Sequence, residues 1–192
     1  MLNRLYANWV YGGVLAGLLL LALSPLLTRG WPPALVCTFL CLPAYMFHQY
    51  EEHENDRFRG YVNKLLGPGR RGLTLRDVFV INIFGVWVAF AVVLWLAVRV
   101  HPGFGLIAIY GLLVNAVVHI VAAIVKRSYN PGVATSVLLF LPLGGYGWWL
   151  FHPGAGGYFA VDTFYDAFGL GATIALHVVI VAWGTRPATA SQ

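Results

Sequence analysis

The residues able to do chemistry in this chain are few, and the densest group is His48-Gln49-Tyr50-Glu51-Glu52-His53-Glu54. On a helix, His48, Glu51 and Glu52 share one face within an arc of roughly 100°, whereas His53 lies roughly 140° away from His48. A ligand can therefore be shared by His48 and one or both glutamates, and His53 falls outside that set. The spacing is neither H-E-x-x-H nor H-x-x-E-H, so the zinc-protease templates do not apply. It is a ferritin-type Glu-x-x-His read backwards.

Other polar residues sit within apolar runs, where ionisable groups are costly and usually face a partner or a cavity. Asn115 and His119 are four apart, on a narrow helical stripe with Gly111, Ala122 and Lys126. Asn82, Gly85 and Ala89 form a similar stripe, and so do Gly169, Thr173 and His177. Depth tests whether they can meet. Along a helix, Asn82 lies roughly 9 Å from Arg76, His119 roughly 10 Å from Lys126 and His177 roughly 13 Å from Arg186. All occupy one half of a membrane, at the level of His48, Glu51 and Glu52.

Imidazole nitrogens and carboxylate oxygens are ligands for zinc, iron or manganese. The expected metal ligands are His48, Glu51, Glu52, His119 and His177, holding one or two divalent ions, zinc or iron. Asn82 and Asn115 would orient them. Glu51 and Glu52 are also candidate general bases. The turn Tyr129-Asn130-Pro131-Gly132 could close the site, with Tyr129 as a proton donor or Lys126 and Arg127 holding a lipid headgroup; the plain alternative is a stop-and-restart turn flanked by positive-inside residues. The bland alternative is a solvated glutamate pair, and histidines bonded to neighbouring carbonyls.

These side chains need membrane helices to position them. Of the 192 residues, 59% are hydrophobic and only 10% charged, with a mean hydropathy of +0.74, too apolar for a soluble domain. Apolar runs predict an all-α bundle of about six transmembrane helices near 7–28, 33–50, 77–99, 104–126, 133–151 and 166–185. They form a single membrane domain over 1–192, with one sizeable polar loop, 53–76. The second helix is expected to run past the membrane surface until a Leu66-Gly67-Pro68-Gly69 turn. Arg4 followed by the apolar run from Val10 to Leu27 has the layout of a signal peptide, but the run is too long and lacks a clean cleavage site. Trp9, Trp31, Trp148, Trp149 and Trp183 fall near span ends, as an interfacial belt would place them.

Ten of the 12 basic residues fall on one side of this topology: Arg4, Arg57, Arg59, Lys64, Arg70, Arg71, Arg76, Lys126, Arg127 and Arg186. The positive-inside rule puts that side, and both termini, in the cytoplasm. The net charge of +5 thus reflects topology, and no nucleic-acid partner is expected. Cys37 and Cys41, four apart in an apolar run, read as packing residues. His101 and His152, each before a proline, read as loop residues. The stretch Gly154-Ala155-Gly156-Gly157 lacks a P-loop lysine, so no nucleotide site is expected.

At His48-x-x-Glu51-Glu52 the chain resembles the bacterial integral membrane family named for an HXXEE motif. The resemblance continues through Asn115-x-x-x-His119 and Tyr129-x-Pro131-Gly132-x-x-Thr135, over roughly residues 40 to 140. It implies a multi-pass protein of the bacterial inner membrane. That family is uncharacterised, so the resemblance supplies no substrate, reaction or metal.

The residues themselves favour an intramembrane metal-dependent enzyme, a hydrolase or an oxidase, acting on a lipid or other hydrophobic small molecule. One alternative is a proton or metal-ion transporter. The chain shows no inverted repeat or paired broken helices of the kind transporters use, although a homo-oligomer would supply symmetry. The other is a non-catalytic membrane partner whose polar stripes join helices.

Overall fold

A computed structural model describes residues 2–67, 69–152 and 162–187. Seven helices follow in order: α1 Leu2–Leu27, α2 Pro33–His53, α3 Arg57–Leu66, α4 Leu75–Arg99, α5 Leu106–Lys126, α6 Val133–Phe151 and α7 Thr163–Gly184. The described residues contain no strand, only an isolated bridge between Arg70 and Pro187. The protein is an all-α membrane bundle.

Local chemistry sets the boundaries. The Pro32-Pro33 pair opens α2 after Gly30, at φ +78°, has ended the preceding turn. Thr74 and Asp77 form a reciprocal capping box at the start of α4, and the Asp162 side chain caps α7 by accepting from Phe164 N–H. Arg127, at φ +49°, terminates α5.

Five helices are long and apolar enough to cross a membrane: α1, α4, α5 with the 3₁₀ turn before it, α6 and α7. Helix α2 is not among them, because its last turns carry His48, Gln49, Glu51, Glu52 and His53. It is instead the central helix. Fourteen of its 21 residues are buried, and it packs against α1, α4, α5 and α6, so protein rather than lipid surrounds its polar face.

The chain departs from expectation after α2. Rather than running on, the helix stops at His53, and Asn55 and Asp56 both adopt left-handed conformations (φ +54° and +59°) that turn the chain into α3. Asn and Asp tolerate that region better than most residues. Helix α3 is amphipathic. Its Phe58 and Val62 pack towards Leu73 and Val78, and Asn63 ties down the following link by bonding both N–H and C=O of Leu73 (2.8 and 2.9 Å). Of the expected Leu66-to-Gly69 turn, Pro68 lies outside the described residues, as does the Gly154-to-Gly157 stretch.

The main core joins α2, α4, α5 and α6 through Cys37, Cys41, Tyr45, Phe90, Leu112 and Phe140. Both cysteines are free and buried, in keeping with a packing role. Trp9, near a span end as expected, is covered by protein. It is buried, 5.4 Å from the His53 ring and 5.8 Å from Trp87, where α1 packs against α2 and α4.

Helices α4 and α6 each contain a π-helical segment, Ile83–Val88 and Ser136–Phe140. Each begins immediately after a residue of the polar cluster, Asn82 and Thr135. Such segments shift a helix face by one residue and recur at functional sites. At the opposite end of the bundle, Asp166 accepts from Tyr110 Oη (2.7 Å) and lies 3.0 Å from His152 Nε2, while His101 stacks on Tyr165. The two histidines read as loop residues thus help fasten α7 to its neighbours.

Candidate metal centre

Three residues from two helices converge. One ligand atom from each of His48, Glu52 and His119 lies within 4.8 Å of the others, and all three residues are buried. Glu52 bridges the histidines: Oε1 is 3.0 Å from His119 Nε2, and Oε2 is 3.5 Å from His48 Nε2. This group could hold a metal ion.

The surrounding hydrogen bonds dictate where the imidazole protons reside. Thr135 Oγ1 donates its single proton to Glu51 Oε2 (2.5 Å), so at 2.8 Å from His48 Nδ1 it accepts from that nitrogen. Asn130 Nδ2 donates to the His119 carbonyl (2.7 Å), which turns Asn130 Oδ1 towards His119 Nδ1, again at 2.7 Å, to accept. Each ring therefore carries a proton on Nδ1. Their Nε2 atoms face the Glu52 carboxylate, and His48 Nε2 is buried without a hydrogen-bond partner.

A third histidine reaches the same carboxylate. His53 Nε2 lies 3.5 Å from Glu52 Oε2, although helical geometry put His53 off the His48 face. It adjoins Glu52 in sequence and sits where α2 is leaving helical geometry (φ −110°, ψ −7°). Its state too is set from outside. Trp87 Nε1, a donor only, bonds Gln49 Oε1 (2.6 Å). Gln49 Nε2 then donates to Asn82 Oδ1 (2.8 Å), leaving Asn82 Nδ2 to donate to the Val78 carbonyl (2.8 Å) and to face His53 Nε2 (3.2 Å).

Gly132 closes the group from the basic end. A Cβ there would stand 2.7 Å from His119 Cε1, 2.8 Å from His48 Cε1 and 2.9 Å from Glu52 Cγ. Phe140 packs on the His48 ring at 4.3 Å. On another side lies a cavity of about 340 Å³ whose lining includes Glu52, His53, His119 and Asn82.

The family model described as "Protein of unknown function with HXXEE motif" matches residues 39–147, more than half of the chain. The chain belongs to this family. No curated protein and no solved structure matches it. The matched region holds His48, Glu52, His119, Asn130 and Thr135, and leaves out α1 and α7.

Within the family motif the two glutamates face different partners. Glu52 enters the histidine group. Glu51 instead accepts from Tyr129 Oη (2.5 Å), Ala134 N–H (3.0 Å), Thr135 N–H (2.7 Å) and Thr135 Oγ1, tying the end of α2 to the start of α6. Burial and the Glu51 carboxylate push the Tyr129 phenol up to about 12.

Of the remaining expected residues, His177 lines the cavity but bonds the Thr173 carbonyl through Nδ1 (2.9 Å). Asn115 also lines the cavity, and its Oδ1 is buried without a partner. Asn82 touches His53 rather than His48 or His119. Sequence reading passed over Asn130, Gln49 and Trp87 as site residues. Only Asn130 carried a signal, as part of the turn that follows His119.

Proposed function

We propose that the chain is a membrane-embedded, metal-dependent enzyme of the cell membrane that acts on a lipidic substrate at His48, Glu52 and His119. The observation that carries this reading is the convergence of two imidazole Nε2 atoms on one buried carboxylate. With both imidazoles neutral, three electron-pair donors face one another in a low-dielectric interior, and a divalent cation between them removes their repulsion. Histidines whose Nδ1–H is held by an oxygen acceptor, as here by Thr135 and Asn130, are the usual form of metal-binding imidazole.

Two histidines and a carboxylate leave coordination positions open, which suits catalysis better than a closed structural site. Zinc would supply hydrolytic chemistry there, and iron oxidative chemistry. The protein's own contribution is to orient the two imidazoles, to hold Glu52 ionised between them and to keep bulk water away with Gly132 and Phe140. The basic end of the bundle would face the cytoplasm.

Purified protein reconstituted in vesicles, loaded with zinc or with ferrous iron under air, tests the proposal by mass spectrometry of the lipids. Metal-dependent conversion that is lost in Glu52→Ala supports it. Binding of metal with ion flux across the vesicle, and no altered lipid, would favour the transport reading instead.

A further inference from the structure

The cavity beside the triad narrows the substrate. Its walls are built from α2, α3, α4, α5 and α7, including Val62, Ile81, Leu176 and Ile180. At about 340 Å³ it has room for roughly eleven groups of about 30 Å³, the volume of one water in the liquid. That suits one hydrocarbon chain within the cavity.

The polar part of the lining describes the head group. Among the described residues that line the cavity there is no lysine or arginine, so no permanently cationic side chain there is provided for a phosphate or a carboxylate. Two polar atoms lack partners, Asn115 Oδ1 and Tyr61 Oη, and both residues belong to the lining. A buried polar atom without a partner is costly. Asn115 stands one helical turn, about 6 Å, from His119 along α5. An occupant that offers Asn115 Oδ1 a hydrogen-bond donor would thus hold its polar end close to the triad.

We infer that the cavity takes a neutral, single-chain amphiphile of roughly ten to twelve carbons whose head is a hydrogen-bond donor, a hydroxyl or an amide N–H. As the identity of a substrate, this rests on the catalytic reading above. As a binding site, it stands alone.

The test measures binding of 1-dodecanol, dodecanamide, methyl dodecanoate and dodecanoate to the full chain in detergent, by displacement of a fluorescent fatty alcohol, with metal content read in parallel. The expected order places dodecanol or dodecanamide at least about tenfold tighter than the methyl ester and the anion, the loss of one buried hydrogen bond being worth about that factor. The tighter of the two identifies the head group. Asn115→Leu should remove the preference, and Ile180→Trp, or Val62→Trp on α3, should abolish binding of all four while leaving the metal in place.

His48→Ala should lose metal yet keep its affinity for dodecanol, so failure of the metal reading is separable from failure of this one. Equal binding of alcohol and methyl ester in the wild type, or unchanged binding in both folded tryptophan variants, would overturn the inference.

Discussion

Thr135 Oγ1 sits 2.8 Å from His48 Nδ1 and 2.5 Å from Glu51 Oε2, so one hydroxyl links the first residue of the motif to its first glutamate. Replacing it with Thr135→Val keeps the shape and removes the acceptor that holds the His48 proton. Metal affinity should fall by about 10–100-fold, the usual cost of losing such an outer partner, and Thr135→Ser should restore most of it. A competition titration with a chelating dye measures both. Unchanged affinity in Thr135→Val would show that the hydroxyl does not set the His48 tautomer.

Gly132→Ala places a methyl group within 2.7–2.9 Å of His119, His48 and Glu52, at a φ of +101° that side chains rarely adopt. Overpacking of this kind typically costs about 1–3 kcal/mol. The variant should melt earlier than the wild type and bind metal more weakly, with an unchanged helical circular dichroism spectrum at low temperature. A variant with wild-type melting and metal affinity would contradict the tight closure described here.

The chain from Trp87 through Gln49 and Asn82 to His53 starts at a group that can only donate. Trp87→Phe leaves Gln49 Oε1 without its partner and should destabilise the protein by about 1–3 kcal/mol, seen in denaturant unfolding. Metal stoichiometry should not change, because His48 and His119 are oriented by Thr135 and Asn130 instead. Loss of metal in folded Trp87→Phe would mean that His53 is a required ligand.

Tyr129 gives a pH dependence with a definite sign. Its phenol is at about 12 in the folded protein, against about 10 for an unperturbed tyrosine. A raised folded value stabilises the protein below pH about 10, and that contribution fades as pH rises towards 12. The melting-temperature advantage of wild type over Tyr129→Phe should therefore be constant up to pH about 10 and shrink above it. An advantage that grows above pH 10 would contradict the bond to Glu51.

How far the sequence alone reached is clear from particular residues. Helices and their breaks were legible because apolar runs and Pro-Gly turns act locally, and the level of Asn82, His119 and His48 followed from counting rises along helices. The division of labour between Glu51 and Glu52 was not. Both lie on the His48 face by periodicity, and only the arrival of Thr135 and Ala134, more than eighty residues later, assigns Glu51 to the α6 terminus. Nor was the approach of His53. It depends on the end of α2 and on a chain reversal at Asn55 and Asp56 that no periodicity describes. Trp9 looked interfacial because its position along α1 is; which side of α1 is covered is a tertiary fact.

The central question for this protein is whether the two Nε2 atoms and Glu52 hold a metal. Elemental analysis by plasma mass spectrometry of detergent-purified wild type, His48→Ala and His119→Ala, each after incubation with zinc or with ferrous iron, decides it. The prediction is about one equivalent of one metal in the wild type and strong depletion in both folded variants, as expected when one of only three protein ligands is removed. Absence of metal from the wild type after reconstitution, or equal metal in all three proteins, would contradict it.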